Sequence, residues 1–175
     1  MRELADAERI RAFMRAAGAA AACDGVCYLT GGATAVLTGW RATTIDVDVS
    51  LDPEQDELLR ELPRIKNELG INVELASPGD FIPLPDDWEG RAVSVAREGL
   101  LSFAHFDPYS QALSKLERGH VHDLEDVEAM KRLGLVVPER LHELFEEIEP
   151  ELYRFPAIAP PTFRAAVEAA TSRKA

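Results

Sequence analysis

Two periods of hydrophobicity succeed one another along the chain. Ile45, Val47, Val49 and Leu51 alternate strictly with Asp46, Asp48, Ser50 and Asp52, the period-2 pattern of a strand with one buried face. Before it, Leu4, Ile10, Phe13 and Met14 recur at helical spacing among charges and predict an opening helix from Arg2 to about Ala22. Val26-Cys27-Tyr28-Leu29 is a short apolar run ending at Thr30-Gly31-Gly32, which reads as a buried strand stopping at a glycine turn. A short helix then starts at Ala33 and closes at Gly39 and Trp40, with Arg41 to Thr44 as a connecting loop.

Asp52-Pro53 reads as an N-cap with proline at the first helical position, and that helix extends to Leu69 before Gly70. Pro63 inside it predicts a kink or two pieces. Ile71 to Leu75 is a further strand, and Ser77 to Gly90 a proline- and glycine-rich surface loop. Val93 to Phe106 reads as a β-hairpin turning at Arg97-Glu98-Gly99. Helices follow: one from Asp107-Pro108 to Gly119, one from about Asp123 to Leu133, and proline-punctuated ones from Pro138 onward, with 155–161 as a linker. Leu141, Leu144, Phe145 and Ile148 are expected to pack on the sheet or on another subunit. The fold class is α+β, a small mixed sheet first and then helices.

The 175 residues suit one domain with room for a helical appendage, and 46% hydrophobic against 29% charged residues supports a packed core. No apolar run approaches the roughly 20 residues that span a bilayer, and no signal peptide is recognisable. Cys23 and Cys27 read as reduced thiols in a cytoplasmic protein. The net charge of −12 argues against a broad grip on nucleic acid backbones. It leaves room for a small nucleotide whose charge a bound metal offsets.

The chemistry concentrates in two short segments. Residues i and i+2 of a strand point to the same side, so Asp46 and Asp48 present two carboxylates together, about 7 Å apart at their Cα atoms. A divalent cation relieves their repulsion, and Mg²⁺ in particular is held by one or two carboxylates plus substrate phosphates. Gly31-Gly32 at a strand-to-helix junction lets the backbone approach a phosphate. Arg41, on the loop into the acidic strand, is a candidate phosphate contact, and Trp40 a packing anchor. His120 and His122 read as surface histidines.

Leu29-Thr30-Gly31-Gly32, thirteen residues, then Asp46-Val47-Asp48-Val49 resembles the signature of the polymerase-β-like nucleotidyltransferase superfamily. The layout of residues 1–135 resembles minimal bacterial nucleotidyltransferases of unassigned function, distantly similar to AbiEii-type toxins. The resemblance implies a nucleotidyltransferase domain over 1–135 and a helical extension over 136–175 packed on it. It also implies Mg²⁺ (or Mn²⁺) on Asp46, Asp48 and the later strand carboxylate Glu74, which would activate the attacking hydroxyl. Substrates would be an NTP and an acceptor such as RNA, tRNA or protein, with an antitoxin as a possible further partner. The toxin-like branch carries a lysine on a helix after the sheet, followed by an acidic residue, and Lys115 to Asp123 fits that pattern. Lys115, with Arg118 on the same helix face, would neutralise triphosphate charge, and Asp123 would orient Lys115 or cap the next helix. Many relatives place serine or threonine directly after the glycines. Here Ala33 stands there, with Thr34 one step on as the candidate nucleotide contact, so a non-catalytic nucleotide- or metal-binding module is the alternative.

Overall fold

A computed structural model describes residues 3–172. Arg2, where the expected opening helix starts, lies outside the described residues. The helix itself, α1, spans Ala7–Ala20, and Asp6 caps it by accepting from the Arg9 backbone N–H at 2.9 Å. Leu4 therefore precedes the helix and is exposed, while Ile10, Phe13 and Met14 are buried.

The chain gathers into two compact units, one formed by the residues up to Ser77 together with Ala92–Phe106, the other by Pro78–Arg91 and the residues from Asp107 onward. The first holds β1 (Gly25–Thr30), α2 (Gly31–Thr38), β2 (Asp46–Asp52), α3 (Asp56–Leu69), β3 (Asn72–Leu75), β4 (Val93–Glu98) and β5 (Leu101–His105). Its five strands form one mixed sheet in the order β3-β2-β1-β5-β4. β1 is antiparallel to β2 and parallel to β5, β2 is parallel to β3, and β4 and β5 make the expected hairpin.

One face of the sheet is apolar. Cys27, Leu29, Val47, Val49, Val73 and Phe103 form a core with Phe13 and Met14 of α1, Val36 of α2, and Leu58 and Ile65 of α3. Two strand ends depart from the alternation. Ile45 is 71% exposed because it precedes the first paired residue of β2, and Leu75 is 51% exposed at the end of the short edge strand.

α3 starts at Asp56 rather than at Pro53. Gln55, at its N-cap, turns its side chain away from the helix. Its Oε1 accepts from the backbone N–H groups of Ala22 and Cys23, and its Nε2 donates to the Cys23 carbonyl at 3.0 Å, so it fastens the turn between α1 and β1. Pro63 does not split the helix. An internal proline costs about 3 kcal/mol, but burying Leu58, Leu62 and Ile65 contributes roughly 1.5–3 kcal/mol each, and Pro63 itself is exposed.

The second unit holds α4 (Pro108–Arg118), α5 (Val121–Arg132), α6 (Pro138–Ile148) and α7 (Pro160–Thr171). The stretch expected to be a surface loop is packed into it: short 3-10 turns bracket the stretch, and Pro78, Ile82, Pro83 and Pro85 are buried. Arg91 donates to the buried Asp107 carboxylate at 2.9 Å, and Asp107 caps α4 through the N–H groups of Tyr109 and Ser110. Leu141, Leu144, Phe145 and Ile148 are buried in this unit, with Phe145 edge-on to Phe163 of α7 at 4.9 Å.

Candidate active site

The register of the sheet assembles the acidic face. Asp48 of β2 lies beside Thr30 of β1 on one side and Glu74 of β3 on the other, and Asp46 lies beside Asn72. Because Val47, Val49 and Val73 point into the core, Asp46, Asp48, Asn72 and Glu74 all project from the opposite face. Asn72 joins two of them. Its Nδ2 donates to Asp46 Oδ1 at 2.7 Å and to Glu74 Oε1 at 2.8 Å. The periodicity that marks Glu74 as outward-facing marks Asn72 equally, but a neutral amide carries no chemical signature in the sequence.

Gly31 opens α2 with φ +57°, and a Cβ on it would lie 2.9 Å from Asp48 Oδ2. The carboxylate is thus seated against the glycine backbone, which brings the first motif and the second together. Thr30, the N-cap of α2, gives no side-chain hydrogen bond to the helix start. A Cβ on Gly32 would overlap the Thr44 side chain, whose hydroxyl donates to the Asp46 carbonyl at 2.9 Å. Thr44 thereby anchors the loop into β2 against the glycines. We expect Gly32→Ala to force this loop away from the helix, lowering stability by about 1–3 kcal/mol in chemical denaturation, whereas Gly39→Ala, with open space around it, meets only the strain of its positive φ.

Thr34 does not offer its hydroxyl to a phosphate as expected. It is 3% exposed, donates to the Leu29 carbonyl at 3.1 Å, and lies 3.0 Å from His105 Nδ1. Since the Thr34 proton is committed to Leu29, His105 donates from Nδ1, which fixes its neutral tautomer. Burial lowers the pKa of His105 from 6.5 to about 4. Between those values the unfolded chain binds more protons than the folded one, so stability is complete above pH 6.5 and falls as the pH drops towards 4. We expect His105→Asn to flatten this acid limb by on the order of 2–3 kcal/mol, read from denaturation midpoints at pH 7 and pH 4. An unchanged slope would show that the imidazole protonates without cost.

Arg41 joins the far end of α2, where its backbone N–H donates to the Ala35 carbonyl at 3.2 Å. That is about 12 Å of helix from Gly31.

In the second unit, Lys115, Arg118 and Asp123 come together, joined by Asp126, which the sequence reading did not single out. Lys115 is buried, its Nζ 2.7 Å from Asp126 Oδ2 and 3.4 Å from Asp123 Oδ1. Arg118 reaches Asp123 at 2.8 Å and lies over the Phe81 ring. The expected orientation of Lys115 by Asp123 is present as a contact. The ammonium expected to neutralise a triphosphate is instead enclosed with two aspartates. Asp126 follows Asp123 by three residues, one helical step on the same face, which was the available signal. His120 caps α5 by its backbone alone, and His122 is exposed beside Glu125.

Among the described residues no group of three His, Cys, Asp or Glu side chains is gathered closely enough to hold a metal ion. The donors at the sheet face are nevertheless of the right kind for a hard cation: carboxylate oxygens at i and i+2, with a third on the paired strand.

A family model described as "Nucleotidyltransferase of unknown function (DUF6036)" matches residues 10–157. No curated protein and no solved structure matches the chain.

Proposed function

We propose that this chain, which belongs to the DUF6036 family of nucleotidyltransferases, moves a nucleoside monophosphate from an NTP to a hydroxyl acceptor at the acidic face of its sheet. The observation that carries this reading is the seating of Asp48 against Gly31 beside Asp46, with Glu74 tied to Asp46 through Asn72. Asp46, Asp48 and Glu74 would hold Mg²⁺ or Mn²⁺, which when bound supplies charge neutralisation for the phosphates. With Thr34 turned inward, phosphate recognition falls to the backbone at Gly31-Gly32, in keeping with glycines that admit close approach. Glu74 is exposed and accepts the proton of the attacking hydroxyl. The acceptor oxygen bonds to the α-phosphorus while the bond to pyrophosphate breaks. RNA, tRNA or protein is the proposed acceptor, in a cytoplasmic and toxin-like setting, with an antitoxin as partner.

Incubation with labelled NTPs, Mg²⁺ and total RNA or cell lysate should label a macromolecule. Absence of transfer from every NTP by folded protein would overturn the catalytic reading. A second reading, a nucleotide- and metal-binding module without turnover, is favoured by Ala33 after the glycines and the buried Thr34 hydroxyl. Calorimetry showing Mg²⁺-dependent NTP binding alongside silent transfer assays would select it.

A further inference from the structure

We propose that Asn72 is a positioning residue, holding Glu74 toward Asp46 when no cation is bound and keeping it in place for the cation. This rests on the reading of Asp46, Asp48 and Glu74 as cation ligands. The geometry begins with β3, an edge strand of four residues. Glu74 is exposed there, and a glutamate with that freedom populates many rotamers, most of them directed into solvent. It also carries the same charge as Asp46 and Asp48, which repels it from the place where it would be needed.

Asn72 answers both problems without adding charge. Its amide nitrogen has two hydrogens, and one goes to each acid, Asp46 Oδ1 at 2.7 Å and Glu74 Oε1 at 2.8 Å. Two carboxylate neighbours also determine which way the amide faces, since only its nitrogen donates. Charge-assisted hydrogen bonds of this kind are stronger than neutral ones. Each engages one carboxylate oxygen and leaves the acid a second oxygen with which to ligate. A lysine in this position would compete with a cation for the same acids, and an aspartate would add to their repulsion. Asparagine draws the acids together and leaves their charge for the metal.

The test is Mn²⁺ binding, followed by calorimetry and by electron paramagnetic resonance of free Mn²⁺, on the full chain without nucleotide. Asn72→Ala is expected to weaken binding roughly 10- to 100-fold, the loss typical when an outer partner of a ligand is removed. Asn72→Gln, which keeps the amide, is expected to recover part of it. In a Glu74→Gln background the same Asn72→Ala change is expected to cost much less, because the side chain it orients has lost its charge. Melting temperatures of the metal-free variants check that each is folded, and the Asn72→Gln protein keeps the comparison available if alanine weakens the strand. If the parent binds Mn²⁺ and Asn72→Ala binds it equally well, Asn72 is an ordinary strand residue and this inference fails alone. If the parent does not bind Mn²⁺, the cation site fails and takes this inference with it.

Discussion

Asp48→Asn is expected to lower metal-stimulated nucleotidyl transfer by about two orders of magnitude or more while the metal-free protein melts at the same temperature or higher. The two effects have one cause. At an effective dielectric near 20, carboxylates that converge to about 4 Å on a shared cation site would repel by on the order of 4 kcal/mol without it, and a cation turns that repulsion into ligation. Removing one charge relieves the empty protein and deprives the cation of a ligand. Asparagine has nearly the shape of aspartate, so the close seating of residue 48 against Gly31 is retained and packing does not confound the result. Mg²⁺-dependent thermal stabilisation should disappear with the activity. An Asp48→Asn protein that melts several degrees lower, yet binds Mg²⁺ and NTP like the parent, would make Asp48 a structural aspartate.

Lys115→Met should behave in the opposite way, with a loss of about 3–5 kcal/mol in unfolding free energy, the range found when one partner of a buried ion pair is removed. Asp126 is 2% exposed and lies 2.7 Å from the ammonium, so methionine fills the space but leaves that carboxylate buried without its cation. Asp123 keeps Arg118, and Asp126 loses the closer of the two contacts to the ammonium. Adding Asp126→Asn to Lys115→Met should then restore much of the stability, a coupling visible in a double-mutant cycle of urea denaturation. If Lys115→Met is as stable as the parent and loses NTP affinity instead, the lysine serves the phosphates after all.

The difference between these two variants follows what could be read from the sequence. The strict alternation around Asp46 and Asp48 and the glycine turn before it were legible because strand period and turn chemistry are local properties. Each placed its element to within a residue or two. Glu74 was legible for the same reason, as the outward residue of a short apolar run. Residues whose roles depend on a neighbour distant in sequence were not. Lys115 reads as a free cation until α5 brings Asp123 and Asp126 to it. Thr34 reads as a substitute phosphate ligand until the pairing of β1 with β5 sets His105 beside it. Gln55 looks like the middle of a helix start until the turn after α1 supplies two N–H groups and a carbonyl. Ile45 and Leu75 show the converse limit: periodicity continues past the point where another element covers the chain.

The acids of the candidate site stand on strands of unequal permanence. β2 is hydrogen-bonded along both sides, to β1 and β3, whereas β3 is the last strand of the sheet and, among the described residues, pairs with a strand on one side only. Local opening starts where a segment has fewest partners, so β3 can fray while β2 stays closed. Glu74 and Asn72 would leave together in such an event, and Asp46 and Asp48 would stay. On the proposed assignment, such an event would leave Asp46 and Asp48 with a weakened cation site and no proton acceptor, and anything that extends the sheet by pairing with the outer edge of β3 would hold Glu74 and Asn72 in place.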